Sequence, residues 1–403
     1  MNKLSVRNVA VAGKRVLVRV DLNVPLRDGQ VSDDTRIEAA LPTIRLLLEG
    51  GARVVLMSHL GRPKGEPKPE LTLKPVAARL GELLGVPVTM APDSVGAEVE
   101  AMSEALEPGS IMLLENLRYH AGETQNDPEY AAALARLGDV FVNDAFGTAH
   151  RAHASTVGVA ECLPPAACGL LMEREIEVLG KLLAAPARPF VAILGGAKIS
   201  GKIDVIQSLL PQVESLLIGG GMMFTFLRAM GLEIGRSLVE EDRVEMARSI
   251  LKESGEKLVL PVDCRVVTSI NGSNETPVEV MVDQIPADKM GVDIGRATME
   301  LFEQRLTGAE TLFWNGPMGI FEIPAYAAGT REVARMVSEA TGLGAKTVIG
   351  GGDSVAAIKA AGRGEQVSHL STGGGATLEF VEGKVLPGVA VLAEGNRVGS
   401  QAH

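Results

Sequence analysis

The sequence predicts an α/β protein: two doubly wound parallel-sheet domains joined by a helical hinge. Three observations carry this. Short β-branched runs alternate with amphipathic helical patterns, which implies parallel strands with right-handed crossovers. The alternation stops near Leu163-Pro164-Pro165 and restarts at Phe190, and 403 residues suit two domains. In both halves the chemically informative residues follow the strand runs. Rossmann-like sheets bind ligands there, beyond the carboxyl ends of their strands.

Arg15–Val20 is the first expected strand, followed by Asp21-Leu22-Asn23-Val24-Pro25. Asp33 or Asp34 is placed to cap a helix reaching Gly50, with apolar Ile37, Leu41, Ile44 and Leu48. Arg53–Met57 is a second strand and ends in Ser58-His59-Leu60-Gly61-Arg62. A helix at Leu73–Leu84, strands at Val86–Met90, Ile111–Leu114 and Val140–Val142, and a helix around Pro128–Leu137 complete a first domain of residues 1–171. Met172–Leu183 reads as a helix and Ala184–Pro189 as a connector, so residues 172–189 form the expected interdomain helix and hinge.

In the second domain, residues 190–386, strand runs Phe190–Leu194, Leu216–Ile218, Leu258–Leu260, Thr311–Phe313, Thr347–Ile349 and Val367–Leu370 each enter a glycine or proline turn. Val278–Pro286 looks like an added β-excursion. Residues 387–403 are weakly patterned and are expected to lie on a neighbouring surface.

A net charge of −11 argues against a general nucleic-acid or anionic-membrane surface, so an anionic substrate must be met by a local cluster of Arg and Lys. Cys162, Cys168 and Cys264 have no paired metal spacing, and their odd, sparse count suits a reducing cytoplasm. Neither an N-terminal apolar h-region nor an apolar run of membrane-spanning length is present.

Strand ends of the first half carry Asp21, Asn23, His59, Arg62, Arg118, His150, Arg151 and His153, with Arg36 early in the first helix. Arginines gathered there suit a small anion with several oxygens, because guanidinium binds phosphate or carboxylate bidentately. Asp21 and Asn23, two apart, share one face of an extended segment and are placed to hold substrate hydroxyls. His59 reads equally as an anion ligand or as a loop histidine held by the backbone. For His150 and His153 a packing role is favoured.

In the second half, Gly196-Ala197-Lys198-Ile199-Ser200-Gly201-Lys202-Ile203 nearly matches a Walker A loop but ends in Ile203, which has no hydroxyl for magnesium. A P-loop nucleotidase is therefore rejected. Lys198 and Lys202, four apart, are expected on one helical face, one for a nucleotide phosphate and one for the group in flight. Gly351-Gly352-Asp353-Ser354 offers a backbone nest and a carboxylate. Asp353 is a candidate Mg²⁺ ligand, with a helix N-cap as the alternative. Asn315 and Glu322 flank a rigid turn, and Glu322 is placed to accept from ribose hydroxyls. Ser371-Thr372-Gly373-Gly374-Gly375-Ala376 reads as strand, glycine turn and helix start, a cradle for an anion.

Taken together, Asp21-Leu22-Asn23-Val24-Pro25, His59-Leu60-Gly61-Arg62, Asn143-Asp144-Ala145-Phe146, Gly195-Gly196-Ala197-Lys198, Trp314-Asn315-Gly316-Pro317, Gly351-Gly352-Asp353-Ser354 and Thr372-Gly373-Gly374-Gly375-Ala376 resemble the phosphoglycerate kinase family, in family order over essentially the whole chain. The resemblance implies a glycolytic enzyme that moves a phosphoryl group reversibly between 1,3-bisphosphoglycerate and MgADP, giving 3-phosphoglycerate and MgATP. It implies that Asp21, Asn23, Arg36, His59, Arg62, Arg118 and Arg151 bind the glycerate. Lys198, Lys202, Gly219, Gly220, Gly291, Asn315, Glu322, Gly351, Gly352, Asp353 and Ser354 would line the nucleotide side, with Asp353 on Mg²⁺. Arg36, Lys202 and the amides of Gly373, Gly374 and Gly375 would share the phosphoryl in transit. It further implies a C-terminal tail that returns to the N-terminal domain, a monomer, and direct in-line transfer on domain closure without a protein nucleophile.

Two rivals fare worse. A clamp-type binding protein explains the hinge and the Arg cluster but not the second glycine-rich anion site or Asp353. A nicotinamide dehydrogenase lacks the G-x-G-x-x-G fingerprint at its first strand turn.

Overall fold

The computed structural model describes residues 2–270 and 275–395. The chain forms two compact units: one runs to Gly180 and takes in the segment from Val385, and the other is Lys181–Lys384.

The first unit is built on a six-stranded parallel sheet of β1 (Arg15–Arg19), β2 (Arg53–Met57), β3 (Val88–Met90), β4 (Ile111–Leu113), β5 (Val140–Asn143) and β6 (Ala167–Cys168), in the order β3-β4-β2-β1-β5-β6. Its central strands are buried nearly throughout, as a sheet covered on both faces requires. Val16, Val18, Val54 and Leu56 pack against Ile37, Ile44 and Leu47 of the helix Thr35–Glu49 in one core. The helix has Asp34 at its N-cap position, but the Asp33 carboxylate takes the Thr35 amide at 2.9 Å.

The segment from Val385 packs within this unit. Leu4 donates to the Ala393 carbonyl at 2.8 Å, Gly388 to Ala149 at 2.8 Å and Ala393 to Ala166 at 3.0 Å. Residues 396–403 of the expected tail lie outside the described residues.

The long helix that follows β6 spans Leu170–Ala184 and starts two residues before the expected Met172. Asp144, at the end of β5, explains the early start. Its Oδ1 accepts the amides of Leu171 at 2.9 Å and Met172 at 3.1 Å, while Thr43 Oγ1 accepts that of Leu170 at 2.9 Å. These bonds satisfy amides that an N-terminus otherwise leaves orphaned.

The second unit has a six-stranded parallel sheet of β7 (Phe190–Leu194), β8 (Ser215–Ile218) and β9 (Leu258–Val259), continuing after an inserted small sheet with β13 (Thr311–Asn315), β14 (Lys346–Gly350) and β15 (His369–Leu370). The order is β9-β8-β7-β13-β14-β15, so the strand order reverses between β7 and β13. Such a switch point opens a crevice at the carboxyl ends of its two strands.

The inserted sheet is antiparallel: β10 (Asp263–Val267) lies between β11 (Val278–Met281) and β12 (Met290–Ile294). Only β11 falls within the expected β-excursion. The strands β10 and β12 escape the sequence reading because Pro261, Gly291 and two aspartates break their apolar pattern.

Candidate active site

In the first unit the loops after β1, β2 and β4 bring the expected residues into one basic cluster. Arg36, in the first turn of the helix Thr35–Glu49, donates from Nη1 to the Asn23 carbonyl at 3.0 Å and lies 3.3 Å from Asp21 Oδ2. Asn23 Oδ1 accepts the Gly61 amide at 2.9 Å, which orients the side-chain NH2 as the donor end of Asn23. Arg118 donates to the Gly61 carbonyl at 2.7 Å and is buried. Burial, helped by the charges of Arg19 and Arg151, lowers its pKa to about 10, which leaves it charged at neutral pH. Arg62, Arg118 and Arg151 line a cavity of about 360 Å³ together with Lys64, His120 and His153.

Two residues beneath this cluster went unnoticed in the sequence. Arg19, the last residue of β1, is fully buried. It donates from Nε to Ser155 Oγ at 2.8 Å, from Nη1 to the Val20 carbonyl and from Nη2 to His59 Nδ1 at 3.1 Å. Glu123, also fully buried, accepts from the Ser155 hydroxyl at 2.7 Å and amide at 3.0 Å, and lies 3.6 Å from His153 Nδ1. Its burial favours protonation, but His153, Arg19 and Ser155 outweigh that and keep it ionised. The one available signal was an arginine inside an apolar strand, two residues before Asp21. His150 is half-buried and bonded to Arg151 at 3.1 Å, and burial beside Arg151 lowers its pKa to about 4.

In the second unit the switch point is assembled by backbone contact. The Gly195 amide donates to the Asn315 carbonyl and the Gly196 amide to Pro317, both at 2.9 Å. A Cβ on Gly316 would lie 2.2 Å from the Gly195 carbonyl oxygen, and one on Gly220 only 2.4 Å from the Gly196 nitrogen. Gly219 packs on Met318 and Gly291 on the Phe224 ring, where a Cβ would come within 2.4 Å and 1.9 Å. These glycines are thus required by packing whatever else they do. The resulting cavity, about 290 Å³, is lined by Gly196, Gly220, Gly291, Phe224, Glu322 and Asp353, among others. Asp293 also lines it and was not singled out in the sequence. Its carboxylate accepts the amides of Ile294 at 2.9 Å and Gly329 at 2.8 Å, and burial raises its pKa to about 7.

Lys198 and Lys202 do not share a helical face. The helix starts only at Ile203, after a turn in which the Lys202 amide bonds the Ile199 carbonyl at 2.8 Å. Lys198 is exposed, whereas Lys202 is half-buried with its ammonium on Asn315 Oδ1. Burial lowers the Lys202 pKa to about 8, and Asp353 and Glu382 pull the other way. Asn315 is fixed in turn by donating to the Gly350 carbonyl at 2.6 Å, and the Ser354 hydroxyl accepts the Gly316 amide at 2.5 Å. Asp353 is not an N-cap. Gly351, at φ +89°, holds that position, and Asp353 stands exposed in the first turn of the helix Gly352–Ala360. Glu322 is exposed as well.

The Gly373–Gly375 turn leads into the helix Gly375–Val381, braced by a bond between Ser371 and Thr377 hydroxyls at 2.5 Å. Gly374 sits at φ +55° with nothing within 4 Å of where a Cβ would be, so backbone geometry rather than crowding demands glycine there.

A glycine-walled crevice at a sheet switch point in one unit and an arginine-lined pocket in the other suit one class: a two-domain α/β phosphotransferase. Comparison with known proteins narrows it further. A family profile described as phosphoglycerate kinase matches residues 6–384. The phosphoglycerate kinase of Chloroherpeton thalassium is 55% identical over 98% of this chain and 100% of its own. That of Thermosipho africanus is 53% identical over 99% and 100%. The solved structure of phosphoglycerate kinase from Coxiella burnetii aligns with a TM-score of 0.85 at 40% identity, over 96% of this chain and 98% of that one. The chain belongs to the phosphoglycerate kinase family. It is a glycolytic kinase that catalyses reversible phosphoryl transfer. No helix among the described residues is long and apolar enough to cross a membrane.

Proposed function

We propose that the first unit binds 1,3-bisphosphoglycerate or 3-phosphoglycerate, that the second binds MgADP or MgATP, and that the phosphoryl group passes directly in line between them. What supports this most is that each unit carries its own anion-ready site, of different chemistry. Three arginines line the first pocket, and planar guanidinium forks suit a fixed phosphate. The second is a glycine-walled crevice at a switch point, with a half-buried lysine and two exposed carboxylates at its edges.

On this reading His59, Arg62, Arg118 and Arg151 hold the 3-phosphate. Asp21 and Asn23 take the glycerate hydroxyl. Arg36, tethered through Nη1, has its remaining donors free for the reacting end. Lys198, Asn315, Glu322 and the turn Gly351–Ser354 serve the nucleotide, around pocket walls kept close by Gly219, Gly220 and Gly291. Lys202, Arg36 and the amides of Gly373–Gly375 share the charge of the moving phosphoryl, and losing one such stabiliser typically costs about 10²–10³ in rate.

The donor set fits magnesium arriving with the nucleotide. The described residues hold no cluster of three or more candidate metal ligands, and Asp353 is a single exposed carboxylate beside the pocket, which suits an ion that keeps phosphates and waters as its other ligands. When bound, the ion neutralises phosphate charge. Transfer further requires the two ligands to meet, with water excluded from the acyl phosphate. The enzyme acts as a cytoplasmic monomer.

A coupled assay with 3-phosphoglycerate and MgATP, repeated with GTP, tests the reaction directly. Arg36→Ala should lower turnover by about 10²–10³ while nucleotide affinity stays close to that of the parent. Normal turnover at saturating substrates would remove Arg36 from the reaction.

A further inference from the structure

The Walker-like loop Gly196–Ile203 is the one motif whose resemblance to a phosphate cradle the reaction does not explain. In a P-loop the backbone amides of such a turn hold phosphate oxygens. Here a carboxylate from elsewhere in the chain takes two of them. The Ser200 amide donates to Glu240 Oε2 at 3.0 Å, and the Ile199 amide and the Ser200 hydroxyl reach the same carboxylate. Partial burial raises the pKa of this group, but those bonds and the charge of Lys198 outweigh it, so Glu240 stays ionised. A nucleotide phosphate approaching the same amides would meet a resident negative charge.

Glu240 ends a short segment that ties together three walls of the nucleotide pocket. Ser237, buried, accepts the Gly291 amide through Oγ at 2.9 Å and so holds β12. Leu238 lines the pocket directly. The Glu240 amide donates to Thr225 Oγ1 at 3.2 Å, on the helix Met222–Ala229, while its carboxylate holds the lysine loop.

We infer that Glu240 is a positioning residue for the nucleotide site: it fills the amide nest of the Walker-like loop, fixes the turn that places Lys198 and Lys202, and leaves nucleotide phosphates to be met by those lysine side chains. This rests on the reading that the second-unit pocket takes the nucleotide.

The test is ADP binding by calorimetry, with steady-state KM for both substrates, on the full-length chain. Glu240→Ala is expected to weaken ADP about fivefold or more, while the KM for 3-phosphoglycerate stays within about twofold. Glu240→Gln, which keeps an acceptor oxygen but loses the charge, should fall between parent and Glu240→Ala. Lys198→Ala serves as the control for the pocket. If it weakens ADP and Glu240→Ala does not, the inference is overturned and the nucleotide reading stands. If neither variant affects ADP, the nucleotide reading fails, and the inference with it. Tighter ADP binding in Glu240→Ala would make the carboxylate a competitor of phosphate and overturn its positioning role. Equal rises in both KM values would overturn it too, as general structural damage.

Discussion

Arg19 Nη2 donates to His59 Nδ1 across 3.1 Å, and both side chains are buried. A guanidinium has only donors, so Nδ1 is the acceptor and the imidazole is neutral, with its proton on Nε2. Burial and the charges of Arg19, Arg118 and Arg36 hold its pKa well below 6.5. The Asp21 carboxylate, 3.9 Å from Nδ1, therefore does not make His59 a cation. On the proposed reading His59 would give the substrate one neutral N–H donor among arginines that supply the charge.

This arrangement predicts a pH-dependent cost. Below about pH 6.5 the unfolded chain protonates His59 and the folded chain does not, so this contribution to stability is complete above that pH and is lost below it. His59→Asn keeps an acceptor near Arg19 but cannot titrate. Denaturant unfolding should show the parent losing up to about 1.4 kcal/mol per pH unit relative to the variant as pH falls below about 6.5. A difference independent of pH would show that His59 charges in the folded state.

Lys202 has the opposite consequence for activity. With a pKa of about 8 in the unliganded chain it is charged at neutral pH and loses its proton as pH rises further. The kcat/KM for MgATP should fall through about pH 8, since that ratio reports the free enzyme. In Lys202→Arg this alkaline limb should move above about pH 10 even where the maximal rate drops. An unchanged limb would assign it to another group.

Two glycines should fail differently. Gly316→Ala forces a Cβ to within 2.2 Å of a main-chain oxygen that cannot move aside, so it should lower thermal stability severely or prevent folding. Gly374→Ala meets open space and only an unfavourable φ of +55°, so it should fold at a cost of about 1–2 kcal/mol. Its turnover should nevertheless fall well below the parent's while 3-phosphoglycerate binding is kept. An equal loss of glycerate affinity would place the triglycine turn with the other substrate.

Asp144 caps the connecting helix at an electrostatic cost. Burial raises its pKa to about 7, and its Oδ2 has no hydrogen-bond partner among the described residues. Between about pH 4 and about pH 7 the folded chain keeps a proton that the unfolded chain has lost, so this contribution to stability is lost as pH rises through 7. Asp144→Asn retains an acceptor for the Leu171 and Met172 amides. Unfolding at about pH 8 and at about pH 5 should show the variant gaining about 1–3 kcal/mol on the parent at the higher pH.

Local pattern alone determined much here. Period, turn residues and the position of charges after apolar runs marked two α/β halves, most strands of both main sheets and the arginines that line one cavity of the first unit. These are properties of short windows, and short windows carry them. Tertiary structure decided what depends on residues distant in sequence. It placed Arg19 and Glu123 in a buried network, because nothing local distinguishes a strand arginine that meets Ser155 from one that meets water. It assigned many glycines at the switch point to backbone packing, since a Cβ at Gly316 or Gly220 is excluded by atoms of Gly195 and Gly196 in the turn after β7. And it separated Lys198 from Lys202, which helical spacing puts on one face: the chain turns between them, and only Lys202 is partly buried, against Asn315, where loss of water lowers its pKa.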